Sequence, residues 1–116
     1  MTDIHVDNGV LEVLREVMED EYSLLLETFL LDSEERLRIL VDAAQRSDGQ
    51  TMRLAAHNFK GSCSNMGALL LARLCKDLEE LARRETLDDV ACILEQIQRE
   101  FAIVRILFKA ELQRHR

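Results

Sequence analysis

The chain has 116 residues, of which 47% are hydrophobic and 32% charged, with a formal net charge of −7. That is enough to build one domain around a real core, and the acidic balance argues against nonspecific binding to DNA or to anionic membranes. With no proline and only four glycines, the sequence excludes collagen-like and proline-rich classes and disfavours a sandwich or barrel, which needs many turn residues.

Apolar residues recur at spacings of three and four almost throughout, and no stretch alternates as a half-buried strand would. The pattern predicts a short first helix over 8–19, carrying Val10, Leu11, Val13, Leu14, Val17 and Met18. A long second helix is expected over 21–46, with Tyr22, Leu26, Phe29, Leu30, Leu37, Leu40, Val41 and Ala44 on its apolar stripe and a bend at Asp32-Ser33. Ser47-Asp48-Gly49 reads as a turn. The third helix, over 50–66, has a stripe of Met52, Ala55, Ala56, Phe59, Cys63 and Met66, and Gly67 marks its end. The fourth, over 68–84, buries Leu71, Leu74, Cys75, Leu78, Leu81 and Ala82. Thr86 with Asp89 resembles a capping box opening the fifth helix, over 87–113, whose seam is Val90, Leu94, Ile97, Phe101, Val104 and Phe108. These elements predict an all-α fold, an antiparallel four-helix bundle with the short extra N-terminal helix over one end, in a single domain spanning 1–116.

No apolar run is long enough to span a membrane, and the opening MTDIHVDN lacks the basic and apolar regions of an export signal, so a cytoplasmic protein is expected. The three cysteines have no CxxC spacing and read as packed, reduced thiols rather than a disulfide or zinc framework. His5 and His115 lie at the chain ends, without partners at a useful spacing, and read as solvated. Leu24, Leu31, Leu69, Ile103 and Ile106 fall off the main stripes; packing beneath the first helix would explain Leu24 or Leu31, and that packing or a dimer contact would explain Ile103 and Ile106.

The third helix carries the chemistry. At about 100° per residue, its apolar stripe leaves His57 pointing roughly 150° away, into solvent. Arg53, Lys60, Gly61 and Ser64 stand four before and three, four and seven after it on the same face. Leu54 also falls on that side, with no apolar reason to be there, and reads as docking surface. Gly61 is costly inside a helix, by about 1 kcal/mol relative to alanine, but it clears the space beside the imidazole for a large partner. Lys60 supplies positive charge near the ring, which suits an anion such as a phosphoryl group. From Thr51 to Lys76 there are four basic residues and no acid, while the rest of the chain holds the other eleven basic residues against all 22 acids, a net of −11. A carboxylate beside a phosphorylated histidine would repel it, and this window keeps carboxylates away.

Residues 57–68, HNFKGSCSNMGA, resemble the H-x-x-K-G-[SA]-[SA]-x-x-x-G-A signature of histidine-containing phosphotransfer (HPt) domains. Cys63 departs from the usual Ala or Ser but is of similar size and faces the core. The length and helix order fit a free-standing bacterial member. The resemblance implies a four-helix bundle, His57 as the phosphoaccepting residue, and Lys60 as the charge that stabilises the phosphoryl group. Arg53, Leu54, Gly61 and Ser64 would form the docking surface. It further implies a relay between the aspartates of two receiver domains, one on a hybrid histidine kinase and one on a response regulator. No cofactor of its own is expected, Mg²⁺ belonging to the partner receiver, and neither nucleic acid nor membrane is an expected partner.

Two other readings compete. A kinase dimerisation module or receiver-directed phosphatase is disfavoured because Asn58, not an acid, follows His57 and the chain has no proline, and with neither GxxxxGK[ST] nor GxGxxG present the chain is not expected to be a kinase on its own. A helical adaptor without covalent chemistry would tolerate replacement of His57. A di-metal bundle lacks its Glu-x-x-His pairs.

Overall fold

The structure, a computed structural model, describes residues 4–115. Helix α1 spans Asn8–Met18, α2 Tyr22–Gln45, α3 Gly49–Asn65, α4 Leu69–Arg83 and α5 Val90–Arg114. Single 3₁₀ turns, Glu19–Glu21 and Leu87–Asp89, lead into α2 and α5. Helices α2 to α5 run alternately up and down, each packed against two neighbours, so that α3 lies between α2 and α4 while α5 closes the bundle between α4 and α2. No helix among the described residues is long and apolar enough to cross a membrane.

The stripes of α3 and α5 are buried as the periodicity requires, all six residues of each. Phe29 meets Phe108 across the core at 5.1 Å between ring centroids, and Phe59 meets Phe101 at 6.5 Å. The α2 stripe is looser. Ala43 is fully buried, Leu37, Val41 and Ala44 are only partly so, and the helix runs unbroken through Asp32-Ser33, with Ser33 itself buried. Asp48 caps α3, accepting from Thr51 N at 3.1 Å and from Thr51 Oγ1 at 2.7 Å, which satisfies a donor that the first turn leaves free. The expected capping box at Thr86 does not form. Its side chain makes no cap hydrogen bond, because the chain enters α5 through the 3₁₀ turn and Asp89 takes the cap position instead.

Gly67 ends the turn after α3 with φ +78°, a left-handed conformation that costs an L-residue about 1–2 kcal/mol. Its carbonyl accepts from Asp7 N at 2.8 Å, and a Cβ here would stand 3.0 Å from Val10 Cβ and 3.1 Å from Asp7 O. The helix bearing His57 therefore ends where the N-terminal segment docks. Gly67→Ala is expected to lower stability by about 2–3 kcal/mol, strain and crowding together, read as a lower urea midpoint with an unchanged slope.

Helix α1 buries Leu11 and half-buries Val10, Leu14 and Met18, but Val13 and Val17 lie in solvent. Polar contacts to two buried α5 carboxylates hold the segment down. His5 Nδ1 lies 2.7 Å from Glu100 Oε2, and Tyr22 Oη donates to Glu111 Oε2 at 2.6 Å, with Arg15 at 4.0 Å from the same oxygen. Burial opposes a charged Glu111, but hydrogen bonds from Tyr22 and Arg114 outweigh it and hold the carboxyl below its usual range. His115 lies edge-on to Tyr22 and 3.7 Å from Glu111, one turn earlier on α5. Both terminal histidines are thus partnered, contrary to the expectation that they are simply solvated. Leu24, Leu31, Ile103 and Ile106 remain exposed, so α1 covers none of them. Cys63 and Cys75 are core thiols, and burial pushes Cys63 far above its ordinary pKa, with Cys75 beside it adding to the shift. Cys92 is the exception; it sits between the seam residues Val90 and Leu94 on the outer flank of α5 and is exposed.

Candidate functional site

Because α3 turns Met52, Ala55, Ala56, Phe59 and Cys63 inward, the opposite side of the helix must face solvent. The His57 side chain is 58% exposed there. Arg53 and Lys60 are partly exposed, Gly61 and Ser64 are exposed, and Leu54 is an exposed apolar side chain on the same outward side. A Cβ at Gly61 would meet no atom within 4 Å. Neither packing nor backbone conformation asks for glycine at this position, although it costs the helix about 1 kcal/mol relative to alanine. The sequence-derived constellation is therefore assembled on one face. Arg53 also lines the cleft between the upper ends of α3 and α4 together with Arg83.

One residue of the site lies outside that constellation. Glu79, on α4, accepts from His57 through Oε2 at 2.8 Å and from Lys60 Nζ through Oε1 at 2.8 Å. The stretch around His57 is acid-free along the chain but not in space. Glu79 stands three residues beyond the window, and the antiparallel packing of α3 on α4 brings it level with His57. The expected repulsion does not arise, because Lys60 neutralises the carboxylate and because Glu79 approaches Nδ1 rather than the outer ring nitrogen. A signal for it was present. Glu79 follows buried Leu78 at the edge of the α4 stripe, where a carboxylate is only one-fifth exposed and needs a partner from the adjacent helix.

The pairing orients the ring and sets its tautomer. The Lys60 hydrogen bond, ahead of the one from His57, holds Glu79 below the usual carboxylate range, so at neutral pH it is ionised and can only accept. The hydrogen between Glu79 and His57 must then belong to Nδ1. In the neutral imidazole this is the Nδ1–H tautomer, which puts the lone pair on Nε2, an atom that makes no hydrogen bond among the described residues. Lys60 stands beside the ring tied to Glu79 rather than free above it. No group of three or more His, Cys, Asp or Glu side chains among the described residues could hold a metal ion.

Residues 24–114 match the family model of the Hpt domain. The crystal structure of histidine-containing phosphotransfer protein B from Pseudomonas aeruginosa PAO1 is 60% identical to the chain and superposes with a TM-score of 0.96, over 99% of this chain and 100% of that one. No curated protein shows significant similarity to the chain.

Proposed function

Since the chain belongs to the Hpt domain family and is a phosphorelay intermediate, we propose that His57 carries the phosphoryl group on Nε2. It receives the group from the aspartyl phosphate of a receiver domain on a hybrid histidine kinase and passes it to the aspartate of a response regulator. The observation that carries this reading is the exposed imidazole whose Nδ1 is engaged by ionised Glu79, leaving Nε2 as the nucleophile.

In the forward step the Nε2 lone pair forms the N–P bond while the P–O bond to the donor carboxyl breaks, and the carboxylate leaves with that electron pair. Nδ1 keeps its hydrogen throughout. The ring gains positive charge as the N–P bond forms, and Glu79, hydrogen-bonded to Nδ1–H, stabilises it. No proton has to leave or return, so the reverse step runs through the same arrangement. Lys60 holds Glu79 in place and adds positive charge beside the transferred group. Mg²⁺ comes with the receiver domain, and this chain acts as a carrier with no nucleotide site of its own. Leu54, Gly61, Ser64 and Arg53 form the surface against which the receiver seats.

Glu79→Ala is the test. It is expected to lower the single-turnover rate of transfer from a phosphorylated receiver domain about 10-fold or more, with a smaller loss of receiver affinity, since the lost interaction is worth most in the transition state. Glu79→Gln, which can still accept from Nδ1–H through its amide oxygen, should recover part of that rate. Lys60→Ala should show the same pattern in a milder form. Equal losses of rate and affinity would make Glu79 and Lys60 docking residues.

A further inference from the structure

Among the described residues most cations pair with a carboxylate, and Arg53 and Lys76, on either side of His57, are, with Arg36, Arg73 and Lys109, among the few that do not. Arg46, Arg99, Arg105 and Arg114 each pair with a nearby carboxylate, as does Arg38 with Glu35. Lys76 on α4 is exposed and makes no ion pair among the described residues, although Glu79 and Glu80 stand at the i+3 and i+4 spacings that favour one. Glu79 is taken by His57 and Lys60, and Glu80 by Arg83 and Arg84. Arg53, one turn before His57 on α3, is likewise unpaired. Among the described residues, the seam between α3 and α4 therefore presents one free cation on each side of the His57–Glu79 pair.

Glu79, the α4 acid on this seam, is paired with His57 and Lys60, whereas Asp77 and Glu80 of α4, with Asp89 of the following 3₁₀ turn, line a groove on the other flank between α4 and α5. Across α4 the charge thus changes from positive on the α3 side to negative on the α5 side. We propose that Arg53 and Lys76 select and orient the partner, drawing an acidic protein surface onto the α3–α4 seam while the acids of the α4–α5 groove turn it away from that flank. The inference rests on the phosphorelay reading for what the seam does. Lys76 is exposed and Arg53 partly so, and they stand on separate helices with the His57–Glu79 pair between them, which suits a broad acidic surface better than a small anion. The chain's net charge of −7 disfavours nucleic acid. Free charges so placed act mainly on the rate of encounter, and their effect is screened by salt.

The test is the second-order rate constant for transfer from a phosphorylated receiver domain of the same organism, measured from about 20 mM to about 500 mM salt. Arg53→Gln combined with Lys76→Gln is expected to lower it about 5- to 20-fold at low salt, to flatten its salt dependence, and to converge with the unsubstituted protein at high salt. Lys109→Gln, which removes an equally unpaired cation from α5, should change neither rate nor slope. An unaltered salt dependence in the double variant, or an equal effect from Lys109→Gln, would overturn the proposal. Receiver affinity in a His57→Gln background separates this inference from the reading beneath it. Salt-dependent binding that the double substitution weakens, in a protein whose unsubstituted form accepts no phosphate, keeps the steering role and sinks the carrier role. Normal transfer with unaltered salt dependence sinks the steering role alone.

Discussion

His57→Gln is expected to abolish phosphoryl acceptance entirely while shifting the melting temperature by no more than about 2 °C. The two halves of this expectation have separate causes. The side chain is mostly in solvent, and a glutamine amide there can still donate to Glu79, which also keeps its bond to Lys60, so the fold loses little. An amide nitrogen has no available lone pair with which to displace a carboxylate from phosphorus, so the chemistry loses everything. Circular dichroism melts beside labelling from a phosphorylated receiver domain check both halves. A variant that still takes label would place the phosphoryl group on another residue, and one that unfolds would make His57 structural.

Gly61→Leu should separate stability from transfer just as sharply. A side chain at this position meets nothing within 4 Å, and leucine is the better helix former by close to 1 kcal/mol, so the variant should melt no lower than the parent. Transfer from a receiver domain should nevertheless fall by two orders of magnitude or more. The donor aspartyl phosphate must come within about 3–3.5 Å of Nε2, and a leucine one turn from His57 would hold the two surfaces apart. Acetyl phosphate, if it labels His57, needs no such surface contact and should be affected less. Undiminished transfer from a receiver to a folded Gly61→Leu protein would mean that the partner seats elsewhere.

What the sequence made legible follows from what a helical wheel contains. Periodicity within one helix fixes which way each residue points, so the six-residue stripes of α3 and α5, the outward turn of His57 and the exposure of Leu54 and Gly61 could all be read from spacing. A wheel says nothing about which residue of the next helix stands level with it. Glu79, 22 positions from His57, enters the site only through the register of α3 against α4, and an acid-free window along the chain hid an acid close by in space. The same blindness affected His5, whose carboxylate partner lies 95 residues away on α5. The His115–Glu111 approach, at a local i,i+4 spacing, was within reach of sequence reasoning. Cys92 was misjudged for another reason. It sits two positions from each of the α5 seam residues Val90 and Leu94, and two positions at about 100° per residue turn a side chain to the opposite face.

The most direct test of the account is NMR of the imidazole nitrogens in isotope-labelled protein after transfer from a receiver domain. Glu79 bonded to Nδ1–H requires phosphorus on Nε2 of His57, with the Nδ1 hydrogen retained and its resonance lost or shifted in Glu79→Ala. Phosphorus on Nδ1, or on any residue other than His57, would contradict it.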